Sequence, residues 1–149
     1  MQLTRAADYA VRVMIHLATL KPGERVSLPG MVAATGAPDS FLSKVLQSLT
    51  RARLITSRRG PAGGFEISVP GRRASMRDVI EAVDGRMCLN VCLNERRSCP
   101  RKDWCPAHPV WIRAQAAMLE VLGTAMIADL AADARNEPES AQEKTGTHN

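Results

Sequence analysis

The stretch that most constrains this chain runs from Ser27 to Val69. There an apolar segment, a glycine, a basic amphipathic segment and a glycine-rich tip follow one another without a linker. Ser27 suits a helix N-cap, Pro29 is tolerated in a first turn, and Gly36 supplies a left-handed stop. A short helix is therefore predicted from Ser27 to Thr35, with Leu28, Met31 and Val32 inward. A longer one is predicted over 38–53, opened by Pro38, because Leu42, Val45, Leu46 and Leu49 recur at i, i+3, i+4 and i+7. Its other face carries Ser40, Ser43, Lys44, Gln47 and Arg51, and the nearest acid, Asp39, lies in the first turn. Hydroxyls, an amide and cations are the groups that meet base edges and phosphates. A merely solvated face is the bland alternative. The order of helix, glycine turn and basic helix favours a helix-turn-helix.

Two short strands are predicted next, Leu54–Ser57 and Phe65–Val69, the second on the alternation of Phe65, Ile67 and Val69. Between them lies Arg58-Arg59-Gly60-Pro61-Ala62-Gly63-Gly64. The glycines allow an extended hairpin tip, and the arginines at its base can reach phosphate or a minor groove. A nucleotide-binding loop is disfavoured, since neither GxxxxGK[ST] nor a strand–loop–helix order is present. A basic hairpin after a basic helix makes a winged helix-turn-helix. Charge follows the same division: residues 1–75 carry 11 Lys/Arg against 4 Asp/Glu, and residues 76–149 carry 9 against 11. A basic front half points to a polyanion.

The flanking segments read as helices. Residues 4–20 form the first, with Thr4 as N-cap, a stripe of Tyr9, Val13, Leu17 and Leu20 widened by Ala6, Ala10 and Met14, and an end at Lys21-Pro22-Gly23. Asp8 falls where a helix dipole favours a carboxylate, and His16 reads as an ordinary boundary histidine. Ser75 and Asp78 form a near capping box for a helix with Met76, Val79, Ile80 and Val83 inward, ending at Asp84-Gly85. A helix from His108-Pro109 runs through Trp111, Ala114, Met118 and Val121 to Gly123, after which Thr124 is expected to cap a last short helix holding Ile127 and Leu130. The stretch Trp111–Leu122 is apolar on more than one face, which suits a partner helix from a second copy. From Ala134 the composition predicts a disordered tail.

All four cysteines, Cys88, Cys92, Cys99 and Cys105, fall in one polar stretch, Met87–His108. No apolar run approaches the roughly 18 residues of a membrane span, and the first residues lack the pattern of a signal peptide. A cytoplasmic protein is expected, in which clustered cysteines favour metal, cluster or redox chemistry over structural disulfides. The spacing C-x3-C-x6-C-x5-C-x2-H lacks the paired knuckles of structural zinc sites. It suits an iron–sulfur cluster, whose ligands spread around a larger inorganic core. It leaves open a thiol switch, with Arg96, Arg97, Arg101 and Lys102 to favour thiolate. Nothing suggests an enzyme: no nucleophile–base pair or substrate motif is present.

On MQLTRAADYAVR at the start, SRRGPAGGF at the wing, VIEAVDG in the fourth helix and the cysteine loop before a long helix, residues 1 to about 133 resemble the bacterial iron–sulfur winged-helix regulators of the IscR and NsrR type. The resemblance implies a homodimer that binds an operator and senses iron, cluster supply, nitric oxide or redox state, with repression the expected sign. It implies Cys92, Cys99 and Cys105 as ligands. The fourth would be His108, as in IscR-type proteins and a 2Fe–2S cluster, or Asp8 of the partner subunit, as in NsrR-type proteins and a 4Fe–4S cluster. It places Ser40, Ser43 and Lys44 at the major groove and Arg59 at the minor groove, with Gln47 and Arg58 completing the basic face. Three departures stand out. The gap between Cys92 and Cys99 is one residue longer than in IscR, Cys88 is additional and stands open as a further ligand, a resolving thiol or a bystander, and Ser43 and Lys44 replace a glutamate and a glutamine.

The expectation is a mainly α fold with a small β-hairpin wing. Residues 1–74 form the DNA-binding domain, 75–133 the fourth helix, cysteine loop and dimerisation helix, and 134–149 the tail. The first alternative keeps DNA binding and replaces the cluster with a thiol–disulfide switch through Cys88 and Cys92 or another pair. A more remote one is an iron–sulfur electron carrier or scaffold, which leaves the basic helix and wing unexplained.

Overall fold

The computed structural model describes residues 3–94 and 99–136. The chain runs α1 (Arg5–Thr19), α2 (Leu28–Thr35), α3 (Asp39–Arg51), β1 (Ile55–Arg58), β2 (Gly64–Ile67), a single turn α4 (Val69–Arg72), α5 (Met76–Asp84), a 3₁₀ turn (Val91–Leu93), α6 (His108–Thr124) and α7 (Ile127–Asn136).

Helices α1, α2 and α5 begin where side chains satisfy their first free N–H groups, whereas α3 and α6 start without a side-chain cap. Thr4 Oγ1 accepts from Ala7 N, Ser27 caps α2, and Ser75 and Asp78 form a reciprocal capping box. Gly36 closes α2 in the left-handed region, at φ 70°, which a side chain would strain.

The core is organised around α1. Val13, Met14 and Leu17 meet Met31 of α2 and Leu42, Val45, Leu46 and Leu49 of α3, all essentially inaccessible. Val79 of α5 and Ile127 and Ala131 of α7 belong to the same core, so one packed interior crosses the boundary expected at 74/75. The start of α7 is tied to that of α5 through Met76 N to Ala125 O, at 2.8 Å, and Ile127 N to Ala74 O, at 2.9 Å. A satellite core of Ala7, Ile80 and Met87 lies beside Met118, Leu119 and Leu122 of α6.

The wing is a two-stranded antiparallel hairpin in the register Ile55↔Ile67 to Arg58↔Gly64, with Val26 bridged to Phe65 on its other edge. Three local expectations need correction. β2 stops at Ile67, because the Ser68 hydroxyl accepts from Gly71 N and starts α4; Val69 is consequently exposed. Thr124 ends α6 instead of capping α7: its hydroxyl donates back to Glu120 O and Val121 O, and Gly123 lies inside the helix. The tail is expected from Ala134, but α7 continues through Asn136; the rest of that expectation, residues 137–149, lies outside the described residues.

Candidate functional site

Two surfaces follow from this frame. The first is built on α3. Four buried aliphatics fix one side of the helix, which leaves Ser40, Lys44, Gln47 and Arg51 exposed and Ser43 half-buried. The Ser43 hydroxyl donates to Asp39 O at 3.0 Å, so what it offers outward is a lone pair. The hairpin rises beside this face. Ser43, Gln47, Thr50 and Arg51 of α3 and Ser57, Arg58 and Arg59 of the wing line one groove, floored by Leu46 and Phe65. Four of the six expected contact residues (Ser43, Gln47, Arg58 and Arg59) thus converge, while Ser40 and Lys44 lie on the same helix outside the groove. Thr50 and Ser57 were not anticipated; the signal was that Thr50 follows Gln47 by three and that Ser57 precedes the two arginines. Among the described residues the ion pairs are Arg12–Asp8, Arg25–Glu66 and Arg77–Glu81, none of which involves Lys44, Arg51, Arg58 or Arg59. Their charge is available to a polyanion.

The second surface is the cysteine loop. It leaves α5 at Gly85 and is held at once, because Met87 is buried and its amide donates to Glu81 Oε1 at 3.2 Å. The Leu89 amide donates to Gln115 Oε1 of α6 at 2.9 Å. Asn90 caps the 3₁₀ turn that carries Cys92. Residues 95–98, including Arg96 and Arg97, lie outside the described residues. The loop returns through turns from Cys99, and the His108 amide donates to Cys105 O at 3.1 Å as α6 begins. Trp104 stands out from it, 68% exposed, with the Arg101 guanidinium 5.8 Å from its ring centre.

All four cysteines are half-buried free thiols. Among the described residues no three Cys, His, Asp or Glu side chains are gathered closely enough to hold a metal ion. The kinds of donor nevertheless fit an iron–sulfur group: thiols, and beside them a histidine whose Nδ1 is buried without a hydrogen-bond partner. A buried polar atom left unpaired is costly, so this nitrogen asks for a ligand. Asp8 is differently placed. Its carboxylate is exposed on α1 and accepts from Arg12 at 3.0 Å. Cys88 sits between the two held amides, and its contact with Leu93 O is long, at 3.9 Å.

A family model described as Rrf2, iron-dependent transcriptional regulator, matches residues 3–133. A Mycobacterium tuberculosis protein provisionally named an HTH-type transcriptional regulator is 35% identical over 137 residues, 90% of this chain and 83% of that protein. Protein aau3 of Rhizobium meliloti is 33% identical over 132 residues, covering 87% of this chain and 84% of its own length. Among solved structures, CymR of Bacillus subtilis, titled its global cysteine regulator, superposes with TM-score 0.71 at 26% identity over 89% of this chain and 97% of its own. The oxidised form of Staphylococcus aureus CymR gives 0.69 at 26%, over 88% and 96%. T. potens IscR gives 0.73 at 21%, over 96% of both chains, a likeness of fold.

Proposed function

This chain belongs to the Rrf2 family of transcriptional regulators, and from that premise we propose that it is a homodimeric DNA-binding repressor whose operator affinity is set by an iron–sulfur cluster in the cysteine loop. The observation that carries the reading is the combination, in one loop, of free thiols with a histidine whose buried Nδ1 lacks a partner. Cys92, Cys99 and Cys105 would be the thiolate ligands. His108 is taken as the fourth ligand on its unpaired buried Nδ1, with Asp8 of the partner subunit as the alternative. When bound, the cluster supplies a reversible ligation that responds to iron, oxidants or nitric oxide. The remaining steps belong to the chain.

Ser40, Ser43, Lys44 and Gln47 enter the major groove, with Arg58 and Arg59 along the backbone and the minor groove. The two subunits address half-sites about one helical turn apart. The exposed apolar side chains of α6, Val110, Trp111, Ile112 and Val121, are the contact for the second copy. Residues 1–74 then divide from 75–133 by role, the first reading DNA and the second holding the loop and the dimer. No helix among the described residues is long and apolar enough to cross a membrane, and DNA as the target places the protein in the cytoplasm.

The test is anaerobic purification followed by visible absorption, Mössbauer spectroscopy, and iron and acid-labile sulfide per chain. We expect a coloured protein with matched iron and sulfide. Cys99→Ala should abolish the colour while Cys88→Ala keeps it, and bleaching by Cys88→Ala would shift the ligand set by one cysteine. The likeness to an oxidised CymR favours a second reading. In it two thiols, Cys88 and Cys92 or another pair, give two electrons and two protons to a peroxide and form a disulfide. A colourless protein that binds DNA only when reduced, after reconstitution with iron and sulfide, would establish that reading.

A further inference from the structure

Most of α6 is exposed. Its half-buried residues are His108, Gln115, Met118, Leu119, Leu122 and Gly123. Met118, Leu119 and Leu122 pack on the satellite core of Ala7, Ile80 and Met87. At Gln115 that stripe changes from aliphatic to amide. Simple packing would place an aliphatic there too; instead the side-chain carbonyl accepts the Leu89 amide, 26 positions away, at 2.9 Å. Leu89 lies directly after Cys88 and three residues before Cys92. The segment 87–89 is gripped from the other side by Glu81, which accepts the Met87 amide at 3.2 Å. One helix therefore holds the cysteine loop through Gln115 and leaves Val110, Trp111, Ile112 and Val121 exposed along its length.

We propose that Gln115 is the positioning residue that couples the state of the cysteine loop to the placement of α6, and through α6 to the DNA affinity of the dimer. The inference rests on the cluster-sensing reading above and names the side chain through which it acts. With Cys92 engaged as a ligand, the segment from Leu89 to Cys92 is fixed and the Leu89 amide stays on Gln115. With Cys92 released, the segment is free to withdraw that amide. A half-buried carbonyl then loses its donor, which gives the loop leverage on the helix.

The test uses the full chain, reconstituted anaerobically with iron and sulfide or stripped by a chelator, and a DNA fragment selected from a random library by the wild-type protein. The ratio of DNA affinities with and without the cluster is measured for wild type, Gln115→Leu and Gln115→Glu, together with visible absorption and protection of the Leu89 amide from hydrogen exchange. We expect a wild-type ratio of about fivefold or more. Gln115→Leu should bring it near one while absorption is kept, and Gln115→Glu, which retains an acceptor, should restore it. A wild-type ratio preserved in Gln115→Leu overturns the role of Gln115 and leaves cluster sensing standing. A wild type with no ratio overturns cluster sensing itself. If Gln115→Leu fails to fold or to take up the cluster, the exchange measurement on wild type decides: protection of Leu89 that differs between the two forms supports the coupling, and equal protection overturns it.

Discussion

α3 and α6 both carry large apolar side chains along their length, yet the protein treats them in opposite ways. α3 commits four aliphatics to the core, each 2% exposed or less, and turns an almost wholly polar and cationic face outward. α6 is longer, with 17 residues against 13, and contributes no fully buried residue within its own chain. Its large side chains at Val110, Ile112 and Val121 are about half exposed or more. A helix clamped by its own domain can hold polar groups in a fixed geometry, which reading DNA demands. A helix held at only one edge is one whose position a partner subunit or a loop can set.

The contrast breaks most severely at Leu46, which anchors α3 and floors the groove. Leu46→Ala should cost roughly 2–5 kcal/mol of stability by leaving a cavity, read from urea or thermal unfolding, whereas Val121→Ala on the monomer should stay within about 0.5 kcal/mol. If the two changes cost the same, the distinction between the helices is wrong. The α6 side sharpens with Ile112→Glu. A charge facing an apolar partner should raise the dimer dissociation constant about tenfold or more, measured by analytical ultracentrifugation, with the monomer fold intact by circular dichroism. An unchanged dimer would move the subunit contact off this face.

At the groove, Arg59→Ala should weaken DNA binding by about tenfold and lower the slope of log affinity against log salt by about one, with cluster absorption unaltered. Normal affinity in the folded variant removes the wing from the interface.

The smallest effect is expected at His16, on the α1 scaffold that supports both helices. Burial pushes its pKa below the ordinary 6.5. The unfolded chain then binds more protons than the native one between the lowered value and 6.5, so stability is fully present above pH 6.5 and declines as pH falls through that window. His16→Gln should flatten the decline in unfolding curves recorded across it.

Much of the fold was legible because its signals are local. Thr4, Ser27 and the Ser75–Asp78 box mark helix starts, and the 3.6-residue spacing of Leu42, Val45, Leu46 and Leu49 marks the buried side of α3. Grouping the cysteines with His108 also needed only their positions in the chain. The lone nitrogen of His108 did not show there, because burial depends on the packed environment, whereas the Asp8–Arg12 pair is an i,i+4 contact that the spacing already offered.

The same difference sets what the sequence by itself determined: the helix starts, the basic face of α3, the hairpin and the segregation of thiols into one loop, each written in residues within a few turns of one another. Tertiary structure decided the rest. β2 ends at Ile67 because the chain turns to bring Gly71 against the Leu54 carbonyl, where an added Cβ would lie 1.9 Å from the oxygen. α7 buries Ile127 and Ala131 against a helix more than 100 residues earlier, and Gln115 finds the Leu89 amide across the cysteine loop. These contacts have no local period to announce them. They arise when distant apolar faces are buried together, and each polar group brought along takes the partner that the packing puts within reach.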